Sequence, residues 1–185
     1  MRLFVAIVPP VEAVDDLDAF LAVRRDAAAF RWTTPDQWHL TLAFMPAVAD
    51  HRLDELVERL GRAGAKRHPF DLSFRGGGAF PDVGRAKVLY ADVGHDGHDV
   101  HHLATGVRAA CAKAGGDPAG GRFRAHLTLA RLGRPEEVTS WVRLLDAYEG
   151  PRWTVVELAL IASHLGEGPR RRPRHEVVET FPLVG

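Results

Sequence analysis

His39-Leu40-Thr41-Leu42-Ala43 and His126-Leu127-Thr128-Leu129-Ala130 are one pentapeptide written twice, with the two histidines 87 residues apart in a chain of 185. A repeat of that length at roughly half the chain points to duplication or to shared chemistry in two halves. Each copy alternates polar and apolar residues, and on a strand successive side chains face opposite ways. His39 and Thr41 therefore share one face and Leu40 and Leu42 the other; His126, Thr128, Leu127 and Leu129 divide in the same manner. The leucines anchor and the polar pair is displayed. Two such strands related by a pseudo-twofold place two imidazoles and two hydroxyls around one cleft. Imidazole, with an ordinary pKa of about 6.5, lets one copy be neutral and the other protonated near neutral pH, as a general base and a general acid require. Threonine hydroxyls suit the non-bridging oxygens of phosphate, so the chemistry best served is in-line displacement at phosphorus without a covalent enzyme intermediate. A plainer reading makes each copy a core strand with its imidazole hydrogen-bonded inside. For a lone histidine that reading would prevail, and recurrence of the whole His-x-Thr unit decides against it.

Composition sets the outer bounds. Hydrophobic residues make up 46% of the chain, enough for one sizeable core or two small fused lobes. Lysine plus arginine equal aspartate plus glutamate at 24 each, so no strong net field would coat a long nucleic acid, and any such substrate would be gripped at an end. The single cysteine, Cys111, excludes an internal disulfide and a thiolate zinc cluster, and reads as a buried helix residue. The apolar run Leu3-Phe4-Val5-Ala6-Ile7-Val8 is too short for a signal-peptide core and stops at Pro9-Pro10, and no later stretch is long enough to span a bilayer. The expectation is a cytoplasmic protein with no membrane contact and no obligate protein partner.

Working outward from the motifs, the pattern predicts strands at 2–8, 38–44, 70–75, 86–93, 123–131, 154–164 and 176–183, with a short extended piece at 31–34. Helices are expected at 11–29, 53–63, 100–114 and about 135–148, the third ended by Gly115-Gly116. Gly76-Gly77-Gly78 reads as a turn between strands, and it lacks the Lys-Ser/Thr that completes a phosphate-binding P-loop. No stretch has the composition of an interdomain linker. Loose alternation with short connections gives an α+β class, two similar halves packed into one body.

A His-x-Thr-x motif repeated about ninety residues apart resembles the signature of the 2H phosphoesterase superfamily. Within it the chain looks most like the RNA 2′,3′-cyclic phosphodiesterases, also called 2′-5′ RNA ligases. The likeness runs nearly the whole length: Arg2-Leu3-Phe4-Val5-Ala6-Ile7, Trp32, Gly78-Ala79-Phe80-Pro81, Lys87-Val88-Leu89-Tyr90, the extension of the second motif to Arg131, Ser163-His164-Leu165-Gly166, and Phe181-Pro182-Leu183. The resemblance implies one bilobal duplicated domain over residues 1–185, two antiparallel-sheet and helix lobes around a central cleft. It also implies cofactor-free and metal-free opening of a terminal 2′,3′-cyclic phosphate to a 2′-phosphate. By carry-over His39 is the proton donor, His126 the proton acceptor, and Thr41, Thr128 and Arg131 hold the phosphate. The implied substrates are RNA 3′ ends or small cyclic nucleotides, and the reverse reaction yields an ATP-independent 2′-5′ RNA ligase. A 2′,5′-oligonucleotide phosphodiesterase would need the same acid and base, and a non-catalytic RNA-end binder would need only the phosphate pocket. The chain departs from the resembled pattern at Trp38, at Met45-Pro46, and at His175, where tyrosine is often found.

Three further features carry alternatives. Phe80 offers a face on which a terminal base could stack, and fits a core aromatic equally well. The histidines at 95, 98, 101 and 102 include an i, i+3, i+4 set that suits a metal, but interleaved Asp96 and Asp99 favour a solvated helix start. The basic run Arg170-Arg171-Arg172-Pro173-Arg174 reads as a loop that meets RNA phosphates or as a solvated hairpin tip.

Overall fold

The computed structural model describes residues 1–94 and 97–185, without the side chain of His98. The chain is α+β, as expected, with two antiparallel sheets and four α-helices among the described residues. The strands are β1 (Leu3–Ile7), β2 (Arg31–Trp32), β3 (Leu40–Met45), β4 (Phe70–Phe80), β5 (Ala86–Gly94), β6 (Leu127–Glu136), β7 (Trp153–Val155), β8 (Glu157–His164) and β9 (Arg174–Pro182). The helices are α1 (Val11–Ala22), α2 (Leu53–Ala65), α3 (Gly97–Lys113) and α4 (Thr139–Asp146).

The first sheet runs β3-β1-β8-β9 and the second β2-β6-β5-β4-β7. All five residues of β1 are buried. That continuous apolar run is what an inner strand covered on both faces requires. Its odd-numbered side chains enter the main core with Leu40 and Leu42, while Phe4 and Ala6 join Ala159, Ile161 and Phe44 on the opposite face. α1 buries Ala13, Leu17 and Leu21, and α2 buries Leu56, Leu60 and Gly64, each one stripe at helical spacing. α3 carries Cys111 fully buried, as the sequence suggests. Burial pushes its thiol up to about 12, which removes it as a nucleophile.

Five sequence expectations need correction. Gly76-Gly77-Gly78 is no turn between strands; it lies inside the 11-residue β4, where the pairing with β5 slips between Phe74 and Gly77. The glycines serve close approach, since a Cβ on Gly77 would lie 2.5 Å from the Leu145 side chain of α4 and one on Gly78 would overlap the Tyr90 ring. The expected strand at 154–164 is two strands in different sheets: β7 pairs with β4, and β8 pairs with β1 and β9. The chain changes sheet at Val156, whose carbonyl accepts from the Leu183 N–H. β6 begins at Leu127 rather than Phe123, and in the irregular stretch before it the Arg124 carbonyl bonds to the His126 ring. Two helices are shorter than their apolar patterns: α1 tightens into a short 3-10 turn at Arg25–Ala27, and α4 starts at Thr139 because β6 extends through Glu136. No helix among the described residues is long and apolar enough to cross a membrane.

Candidate active site

A cleft of about 600 Å³ is lined from both sheets, and it brings together His39, Thr41, His126, Thr128 and Arg131. Behind them Leu40, Leu42, Leu127 and Leu129 are all buried. Both histidines stand one residue before the first residue of their strands, β3 and β6. Both rings are held alike. The His39 Nδ1 lies 2.7 Å from the Gln37 carbonyl oxygen and the His126 Nδ1 lies 2.7 Å from the Arg124 carbonyl oxygen. A carbonyl can only accept, so each Nδ1 carries the hydrogen and each Nε2 is left for the cleft.

The walls around the two rings differ. Phe4 stacks on His39 with centroids 4.6 Å apart, and His175 meets the same imidazole edge-on at 5.5 Å. His126 is walled by the edges of Phe80 at 4.9 Å and Tyr90 at 5.4 Å, which stack on each other at 4.5 Å. Phe80 thus supports His126. Arg124, whose carbonyl orients His126, is itself held by Asp92 at 2.8 Å.

Burial pushes the His39 imidazole down from 6.5 to about 4, opposed by the Gln37 carbonyl and reinforced by His175, His126 and Arg131. His126 is also held below its ordinary value, first by burial against the pull of the Arg124 carbonyl, with Arg131 and Arg124 lowering it further and Asp92 raising it. His175 is lowered by burial and raised by Asp36. At neutral pH the cleft therefore holds neutral imidazoles, and an anion placed between them restores their basicity.

The His39 shift has a consequence for stability. Between pH 6.5 and 4 the unfolded chain binds a proton at His39 that the folded chain refuses, so stability falls as pH drops through that window. The expected loss from this group is about 3 kcal/mol. Urea unfolding at pH 7 and pH 4.5 should show a smaller acid loss in His39→Gln than in the wild type, and equal losses would contradict the buried neutral ring.

A hydrogen-bond chain that no sequence signal disclosed links the two motifs. The Trp38 indole N–H donates to the Thr33 hydroxyl at 2.9 Å, and that hydroxyl reaches the carbonyls of Thr128 at 2.8 Å and Leu129 at 3.0 Å. Thr33 N–H also donates to the Leu129 carbonyl. The Gln37 side-chain amide donates to the Pro173 carbonyl at 2.7 Å, tying the approach to His39 to the segment before β9. In the basic run, Arg172 lines the cleft while Arg174 pairs with Glu167 and Glu176. Of the histidine set at 95–102, His95 and the His98 side chain lie outside the described residues, and His101 packs on Phe123.

Tyr90 supplies a check on the His126 wall. Gly78→Ala puts a methyl group into the Tyr90 ring and is expected to cost about 1–3 kcal/mol of stability. It should lower turnover as well, because the displaced ring no longer braces His126. Chemical unfolding paired with steady-state rates measures both, and wild-type values on both counts would show that the strand yields instead.

The sequence profile of the 2′-5′ RNA ligase superfamily matches residues 9–167. The chain belongs to that superfamily. Membership makes it a hydrolase of the two-histidine phosphoesterase type. It is 30% identical over 158 residues to an RNA 2′,3′-cyclic phosphodiesterase of Aquifex aeolicus, covering 84% of this chain and 82% of the relative. A Thermus thermophilus RNA 2′,3′-cyclic phosphodiesterase is also 30% identical, over 191 aligned positions covering all of this chain and 91% of the relative. Among solved structures, the Thermus thermophilus protein TT0787 superposes with a TM-score of 0.82 at 29% identity, covering 100% of this chain and 99% of that one. E. coli LigT complexed with 3′-AMP gives 0.80 at 25% identity, with 100% and 98% covered. The superfamily's two-sheet α+β architecture is the one described above.

Proposed function

We propose that this protein hydrolyses a terminal 2′,3′-cyclic phosphate on RNA to a 2′-phosphate, with His39 as general acid and His126 as general base and no metal in the reaction. The observation that carries the reading is the matched pair of Nδ1–carbonyl hydrogen bonds, which leaves two Nε2 atoms to one cleft lined by two threonines and an arginine. Water attacks phosphorus as its proton passes to His126 Nε2; the bond from phosphorus to the 3′ oxygen breaks, and that oxygen takes the proton from His39 Nε2. Thr41 and Thr128 donate to the non-bridging oxygens, and Arg131 offsets the charge that gathers on them. The substrate anion itself promotes the acid step, since a phosphate between the rings favours the imidazolium that this step needs. With a 5′-hydroxyl in place of water, the same steps form a 2′-5′ linkage: the 5′ oxygen bonds to phosphorus, the bond to the 3′ oxygen breaks, and the two protons move as before. Phosphodiesterase names among the relatives and the nucleotide held by E. coli LigT favour an RNA-end substrate.

The test is a short RNA ending in 2′,3′-cyclic phosphate, incubated with the protein in EDTA, with the phosphate position of the product determined. Conversion to a 2′-phosphate is expected. Folded protein that converts nothing, or acts only with added metal, would remove the proposal. The pH profile adds a sign: kcat/KM, which reports the free enzyme, should peak below pH 6.5 and fall above it. The kcat bell should lie at higher pH, because bound phosphate raises both imidazoles.

A further inference from the structure

The cleft carries more positive charge than one phosphate requires. Arg2, Arg31, Arg131 and Arg172 line it, and no carboxylate does so among the described residues. Arg31 and Arg131 face each other directly across the β2–β6 pair, where like charges repel unless an anion lies between them. Arg2 stands apart from that pair. Its guanidinium lies 4.5 Å over the Phe44 ring, and its Nε is buried with no hydrogen-bond partner. Buried donors are ordinarily paired; this side chain has no protein acceptor at its Nε, and the charge it brings to the cleft favours an anionic ligand. Phe4, the residue stacked on His39, is two positions along β1, which sets Arg2 about 7 Å further along the wall. That offset is on the scale of one nucleotide. Ser163 lies beside it, its N–H donating to the Arg2 carbonyl at 2.9 Å, and its side chain lines the same cleft.

We propose that Arg2, with Ser163 beside it, forms a second phosphate subsite, which takes the phosphodiester on the 5′ side of the nucleotide whose cyclic phosphate is opened. The inference rests on the reading of the preceding subsection and deepens it: the preferred substrate is an RNA end with at least one internal phosphate, and a free cyclic mononucleotide has no diester to place against Arg2. A guanidinium is a planar fork of N–H donors, a geometry suited to the oxygens of a phosphodiester, and Phe44 packs against this one.

The experiment compares kcat/KM for adenosine 2′,3′-cyclic phosphate with and without a 5′-methylphosphate, which adds one diester charge and no second base. The wild type should prefer the methylphosphate form at least tenfold. In Arg2→Met that ratio should fall to near one, and in Arg2→Lys, which keeps a cation, it should lie between. A wild-type ratio near one overturns the subsite, as does an Arg2→Met variant that slows both substrates alike with the ratio kept. Wild-type protein that opens neither substrate overturns the preceding function instead. Calorimetry then reads the subsite without turnover: adenosine 2′-phosphate carrying a 5′-methylphosphate should bind at least tenfold tighter than adenosine 2′-phosphate, with that advantage lost in Arg2→Met.

Discussion

His39→Ala and His126→Ala should each lower turnover of a cyclic-phosphate-ended RNA by roughly 10²–10⁴-fold while substrate binding is largely retained. In the proposed mechanism the two rings act in one proton-transfer sequence, so the double variant should be little slower than the worse single one. A sulfur substitution separates their roles. When the 3′ bridging oxygen is replaced by sulfur, the thiolate departs without a proton, so an enzyme lacking its acid recovers and one lacking its base does not. His39→Ala is therefore the variant expected to regain rate on the 3′-thio substrate. Single-turnover measurement with both substrates decides the matter. Rescue of His126→Ala alone would exchange the roles, and a near wild-type rate for either variant on the oxygen substrate would end the two-histidine mechanism.

The second large effect concerns Trp38, which is only 3% exposed. Trp38→Ala opens a cavity beside the first motif and is expected to cost about 3–5 kcal/mol, a large share of the roughly 5–15 kcal/mol typical of a folded domain. The melting temperature should fall by on the order of 10 °C. Trp38→Phe is the sharper probe. It keeps most of the apolar bulk but removes the indole donor to Thr33, for a loss of about 1 kcal/mol. Turnover should fall further than that loss of stability suggests, because the Thr33 hydroxyl is the hinge point between Trp38 and the Thr128–Leu129 backbone. Thr33→Val should match it, and a double-mutant cycle should show strong coupling. Additive effects of the two substitutions would mean that the chain of hydrogen bonds does not hold the motifs together.

Much of this was legible in the sequence, and the reason is local. The repeated pentapeptide shows its strand alternation within five residues, so the buried leucines and the cleft-facing histidines follow from spacing alone. Thr33 and Trp38 act through pairing across 95 positions of chain, which no local pattern encodes. Phe4 reads as one more residue of a buried run, and only the pairing of β1 with β3 sets its ring on His39. The glycines at 76–78 misled because glycine signals both turns and close approach, and only Leu145 and Tyr90 tell the two apart. Val156 hides a change of sheet inside an apolar run because a strand's hydrophobicity does not say which partner it will find.

The order of strands has a consequence for how the protein comes to exist. β1 and β3 are made first and β8 and β9 last, yet all four form one sheet, whereas β4, β5 and β6 pair in chain order within the other. A ribosome that has synthesised the chain only as far as Val156 has already produced both histidines, but it has not produced the strand that covers the open edge of β1. Such a nascent chain exposes an apolar edge to its neighbours and lacks Ser163 and His175 from the cleft wall. The repeated motif is thus synthesised well before the cleft that receives it, since both histidines precede the β8 and β9 residues that finish the sheet and the wall beside them.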